Sequence, residues 1–151
     1  MTLGFVLMAD NKSPLPASLK QQISFLAIYP TVTDKLSVDQ TSLSYQSAAK
    51  TLTFTANYKD TAIIVSEQSA PGDTTNPDLV YYQSLGLHPV TEIQTKPGLA
   101  VIVNFYTAGN FDSVGQNAIL AKDGTLVIAH PDSNLSPTSW KDFFNNFRIY
   151  K

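Results

Sequence analysis

Leu52-Thr53-Phe54-Thr55-Ala56-Asn57-Tyr58 decides the fold, because apolar and polar residues alternate at every step. A chain with period two turns one face to a core and the other to water, as a strand of an antiparallel sheet does. Lys59-Asp60 follows as a tight turn, and Thr61–Glu67 (TAIIVSE) returns as a second, more apolar run. Upstream, Leu43 and Tyr45 alternate with polar residues from Thr41 onward, and Ser47–Lys50 supplies a turn. Strands joined by turns this short predict an antiparallel meander.

Working outward from this meander, Ser24–Tyr29 (SFLAIY) is apolar and stopped by Pro30, which predicts a buried strand. Ala17–Ile23, with Leu19 and Ile23 four apart, predicts a short helix. On the other side, Ser69–Thr75 (SAPGDTT) reads as a loop. Asn76-Pro77 then predicts a helix start, with Asn as the cap and Pro preorganised at the first helical position. Leu79, Tyr82 and Leu85 form one stripe, closed by Gly86. Four more strands are expected at Val90–Gln94, Leu99–Tyr106, Gln116–Ala121 and Thr125–Ala129. Lys96-Pro97-Gly98 and Lys122-Asp123-Gly124 serve as their hairpin turns. Ser136-Pro137 opens a last helix, in which Trp140, Phe143, Phe144 and Phe147 share one aromatic face. The expected fold class is α+β: one antiparallel sheet of about seven to eight strands, with a middle and a C-terminal helix packed on it. Regular strand–helix alternation is missing, which excludes a doubly wound parallel sheet and the nucleotide-binding folds built on it.

The 151 residues favour one domain, residues 17–151, behind a distinct segment at 1–16. Without cysteine there is no disulfide framework, thiolate zinc site, iron–sulfur cluster or cysteine nucleophile. Lys and Arg number 10, Arg148 being the single arginine, so the footprint of a nucleic-acid binder is missing. Charged residues are 15%, while 15 Thr, 14 Ser, 9 Asn and 8 Gln carry the polar load. A surface solubilised by hydroxyls and amides predicts an extracytoplasmic location. Thr2–Met8 (TLGFVLM) is apolar but shorter than the ~20 residues of a membrane span, and no basic residue precedes it. Two readings stand: the outer end of a transmembrane helix with a juxtamembrane linker behind it, or a terminal strand or short helix docked on the core. The only membrane contact expected is through such an anchor.

Ser24–Pro30, the polar meander after it, Gly115–Ile128 and Trp140–Phe144 together resemble a bacterial family of unknown function. The resemblance covers most of residues 15–150 as a pattern of hydrophobic positions, without a diagnostic motif. It implies a small extracytoplasmic domain behind a single N-terminal membrane helix, with an overall plan similar to PsbP-like antiparallel-sheet domains. It carries over no catalytic residue.

The chemistry-bearing residues are sparse. His88 and His130 each precede a proline, and no H-x-x-x-H or H-E-x-x-H spacing exists, so no metal site is expected. His130-Pro131-Asp132 is the one place where a carboxylate could orient an imidazole. No G-x-S-x-G elbow, S-x-x-K set or phosphate-binding glycine loop occurs. Asp132-Ser133-Asn134-Leu135-Ser136 alternates oxygen donors, but Pro137 and Phe143 stand where a calcium loop needs Gly and Glu. No catalytic residue and no cofactor are therefore assigned. Adjacent Tyr81 and Tyr82 cannot share a helix face; Tyr82 fits the apolar stripe and Tyr81 lies nearer the surface. The 104–114 stretch, read as a contact loop, contributes Tyr106, Asn110 and Phe111, which with Tyr81 are the candidate contacts. The function expected is a non-enzymatic extracytoplasmic binding or interaction module, taking a small apolar ligand or an envelope protein partner. The alternatives are a structural accessory subunit of a cell-envelope assembly and, third, a hydrolase using His130 and Asp132. A concave apolar sheet face would favour the first, and an exposed apolar patch away from a polar sheet the second. A serine or carboxylate bonded to His130 would favour the third.

Overall fold

The computed structural model describes residues 14–70, 77–107 and 110–150, with backbone only at Tyr106, Thr107 and residues 110–114. Thr2–Met8 and Asn76 lie outside the described residues. Nine strands and three short helices are described: α1 (Ala17–Lys20), β1 (Ala27–Pro30), β2 (Leu36–Gln46), β3 (Thr51–Tyr58), β4 (Thr61–Ser69), α2 (Leu79–Ser84), β5 (His88–Gln94), β6 (Leu99–Thr107), β7 (Asn110–Lys122), β8 (Thr125–Pro131), α3 (Pro137–Asn145) and β9 (Phe147–Tyr150).

Seven strands form one antiparallel sheet in the order β2-β3-β4-β8-β7-β6-β5. It consists of two meanders, β2–β4 and β5–β8, seamed where β4 pairs with β8 from Ile63↔Pro131 to Ser69↔Thr125. The chain passes from the seam to the far edge between β4 and β5, and α2 lies on that passage. Short turns make the hairpins possible. Lys50, Lys59 and Asp123 adopt positive φ, and Gly124 at +87° completes the β7–β8 turn without the Cβ clash another residue would meet.

Alternation sorts the two faces. Leu52, Phe54, Ala56 and Tyr58 of β3 point inward with Ile63 and Val65 of β4, Val127 and Ala129 of β8, Ala118 and Leu120 of β7, and Ala100 and Ile102 of β6. The small Ala56, Ala100, Ala118 and Ala129 leave room for bulky rings above them. Those rings come from α3: Trp140, Phe143 and Phe144 have no exposure. Ser136 caps the helix by accepting from the Ser139 N–H, and Trp140 Nε1 donates to Gln116 Oε1 at 2.9 Å, so neither polar group is buried unpaired.

The structure corrects the expected plan in several places. Ser24–Tyr29 does not join the main sheet; its end, β1, pairs with β9 in a separate two-stranded ribbon, Ala27↔Tyr150 to Pro30↔Phe147. The helices are not on one face: α3 belongs to the inner core, whereas Tyr82 of α2 packs with Val101, Val103 and Ile119 on the outer side. Phe147 falls after the helix, in β9, yet keeps its place in the aromatic cluster with Phe143 at 4.9 Å. The cap of α2 is Asp78, two residues after the expected Asn76, and its Oδ1 accepts from the Tyr81 N–H. β2 begins at Leu36, before Thr41, and its alternation is interrupted where Asp39 Oδ1 takes the Thr41 N–H and hydroxyl and the register shifts between Asp39 and Ser44. The expected 104–114 loop is the end of a hairpin: β6 runs to Thr107 and β7 starts at Asn110, with Tyr106↔Val114 still paired. The register shifts between Tyr106 and Thr107, so that residues 111–113 bulge between the last two pairs, Tyr106↔Val114 and Thr107↔Asn110.

Candidate functional site

Three places bear chemistry, and each follows from how the strands are paired. On the inner side, Ile63, Val65 and Glu67 share a face, which places a carboxyl in the core with no exposure. Its Oε1 accepts the Ile28 N–H at 3.0 Å, and Thr125 on the neighbouring strand donates its hydroxyl to Leu26 O. Leu26 and Ile28 present their backbone groups to the same edge of the chain. Glu67 and Thr125 thus replace a neighbouring strand and clasp β1 to the sheet by two side chains. Glu67 Oε2 and the Tyr29 hydroxyl are buried without hydrogen-bond partners. Burial pushes the Glu67 carboxyl up to about 8, against the pull of the Ile28 N–H, so the acid is mainly protonated at neutral pH.

On the outer face, register aligns Thr55, Ile64 and His130 across β3, β4 and β8. His130 Nδ1 lies 2.8 Å from Asn117 Oδ1; with the amide oxygen as acceptor, Nδ1 carries the proton of this bond. The Phe105 ring lies beside it, centroids 5.6 Å apart and planes tilted by 33°. Phe105 pairs with Gly115, and a Cβ there would stand 2.1 Å from the ring, so glycine is what lets Phe105 lie across β7. Next to the ring pair is an open groove of about 440 Å³ lined by Thr55, Ala62, Ile64, His130, Pro131 and Asp132. His130 and Asp132 therefore share one groove, but the group orienting the imidazole is the Asn117 amide. Among the described residues, no group of three His, Asp or Glu could hold a metal ion.

The third place is the sheet edge formed by β5 and α2. Of the seven exposed large hydrophobics among the described residues, four fall within this short stretch: Val80 at 66%, Leu85 at 58%, Leu87 at 40% and Val90 at 54%. Their exposure has a local cause. Gly86, at φ +81°, ends α2 with its N–H on Gln83 O, and Leu87 N–H returns to Tyr82 O. This closing motif aims Leu85 and Leu87 away from the stripe that Tyr82 buries. Val90 lies where the β5–β6 register shifts between Pro89 and Thr91, a bulge that takes it out of the ladder. Between Pro77 and Thr95 the chain carries Asp78 and Glu92 and no Lys or Arg.

Of the expected contacts, Tyr81 is half-buried on α2, edge-on to Tyr82 with centroids 5.3 Å apart, and belongs to this third place. Burial, with Tyr81 adding to it, pushes the Tyr82 phenol up to about 12. Tyr106, Asn110 and Phe111 lie on the β6–β7 hairpin, and their side chains are outside the described ones. His88 is exposed at the start of β5. Sequence reading missed Glu67, Phe105 and the exposed quartet. Parity along β4 was a signal for Glu67; the Phe105–Gly115 and His130–Asn117 pairings need the register, which local sequence does not contain.

No helix among the described residues is long and apolar enough to cross a membrane. Comparison with protein-family models, with curated proteins and with solved structures returns no match.

Proposed function

We propose that this protein is a non-enzymatic extracytoplasmic interaction module, an accessory subunit that docks a protein partner through the β5–α2 edge. The observation that carries the reading is the concentration of Val80, Leu85, Leu87 and Val90, four of the seven exposed large hydrophobics among the described residues, on one edge. The acidic rim supplied by Asp78 and Glu92 favours a partner with an apolar centre and lysine or arginine around it. The same rim works against a second copy of this chain and against an anionic bilayer, both of which would bring like charge. Pro89 and the bulge beside it interrupt ladder formation at the start of β5, so contact is by side chains rather than by an added strand. The hydroxyl- and amide-rich composition and the apolar Thr2–Met8 run support an extracytoplasmic, tethered placement.

Val90→Arg tests the docking surface, since it places a cation opposite a basic partner on an exposed side chain. The expected outcome is an unchanged melting curve and loss of the partner complex from cross-linked cells. An intact complex in the variant would contradict the reading.

A further inference from the structure

We propose that the groove beside His130 is a binding site for a neutral carbohydrate, with the Phe105–His130 ring pair as its platform. The inference is independent of the β5–α2 edge, which lies elsewhere on the molecule. It starts from what the uncovered half of the outer face lacks. Where α2 does not reach, the strands present Thr53, Thr55, Ser66, Gln68 and Asn117, all half-buried, and the one carboxylate at the groove is Asp132. Among the described residues no lysine or arginine lines the groove, so phosphates, nucleic acids and uronic or sulfated sugars find no counter-charge there. The groove also lacks the enclosure an apolar ligand needs, and among the described residues the exposed large apolar side chains at it and beside it, Ile64 in its lining and Phe105 next to His130, are too few for a protein interface.

A pyranose ring matches what is left. One of its faces is a sheet of C–H groups that stacks on an aromatic ring, and its rim is hydroxyls that both donate and accept. Phe105, whose ring lies over Gly115 beside the His130 ring that lines the groove, extends the stacking surface past the groove's wall. The Asn117 amide engages Nδ1 of the imidazole and leaves Nε2 to bond a sugar hydroxyl, and the Asp132 carboxylate accepts further along the groove. The Thr55 hydroxyl, on the opposite wall, both donates and accepts. At about 440 Å³ the open groove has room for one or two sugar rings.

The test is a titration of the isotope-labelled protein, followed by amide NMR, with maltotriose, cellotriose and N,N′,N″-triacetylchitotriose. A sulfated disaccharide and phenol serve as charged and purely apolar controls. At least one neutral trisaccharide is expected to give saturating shifts at Thr55, Ile64, Asn117 and His130, with Kd on the order of millimolar. Phe105→Ala should weaken that binding about tenfold, the size of one lost stacking contact. Gly115→Ala should weaken it in the same way by displacing the ring, with the rest of the spectrum unchanged. His130→Ala serves if either variant fails to fold. Val90→Arg should leave the titration as in the parent, which separates this site from the docking edge. No saturating shift with any neutral sugar, equal affinity in Phe105→Ala and His130→Ala, or tighter binding of either control would overturn the proposal.

Discussion

Glu67 shows most clearly how a single side chain couples this fold to its surroundings. With its carboxyl pushed up to about 8 in the core, the folded chain holds a proton that the unfolded chain releases near the ordinary value of 4.5. Between those values the folded state binds more protons through this group, so its contribution to stability is largest below about 4.5, falls as pH rises, and levels off above about 8. The fall attributable to this group is on the order of a few kcal/mol. Glu67→Gln keeps an oxygen for the Ile28 N–H and has no proton to lose. Denaturant unfolding at several pH values should therefore show the downward slope in the parent and its loss in the variant, with the variant more stable at pH 8. A parallel pH dependence in both would mean that Glu67 does not carry the effect. The position was legible from sequence, since Glu67 has the parity of Ile63 and Val65 on one strand. Its partner was not, because Ile28 lies 39 residues away and in a different sheet.

At the scale of elements, the inner core is held by α3 and the strand after it. Phe143 has no exposure and meets Tyr58 at 5.9 Å, Trp140 at 5.6 Å, Phe144 at 5.1 Å and Phe147 at 4.9 Å. Phe143→Ala should cost about 3–5 kcal/mol in equilibrium unfolding, because four aromatic neighbours cannot close over the cavity. A loss under ~1 kcal/mol would show that the cluster repacks freely. Tyr58 adds a polar tie, its hydroxyl donating to Asp142 Oδ2 at 2.6 Å. The aromatic spacing from Trp140 to Phe147 was visible in sequence, as was the Ser136-Pro137 helix start. What sequence could not show was the break at Asn146, where the backbone leaves the helix and β9 begins. The i, i+7 pattern survives that break because Phe147 falls back over the same cluster. Turn residues were equally plain at Lys59-Asp60 and Asp123-Gly124, where positive φ occurs. The β6–β7 hairpin was not, since its end carries a register shift, with Asn110 paired to Thr107 and residues 111–113 left between that pair and Tyr106↔Val114.

For the whole molecule, the seam between β4 and β8 determines which surfaces exist. By bringing β8 back to the middle, it leaves β2 and β5 as the two edges of the main sheet. The two meanders could be read from alternation and turns, but their order could not, because nothing local specifies which strand β8 joins. The same holds for the ribbon: β1 and β9 lie near opposite ends of the chain, and only their pairing reveals that neither extends the main sheet. The edge at β5 receives the exposed quartet from α2 and the bulge, and the account of function depends on that edge.

The most direct test of that claim is site-resolved photo-cross-linking in the cells that make the protein. A photoreactive residue is placed in turn at Val80, Leu87, Val90 and, as a control away from the edge, Val32, an exposed position before β2. The account predicts one discrete adduct of the same mass from Val80, Leu87 and Val90, none from Val32, and loss of yield as salt screens the acidic rim. Equal adducts from all four positions, or an adduct from Val32 alone, would contradict docking through the β5–α2 edge.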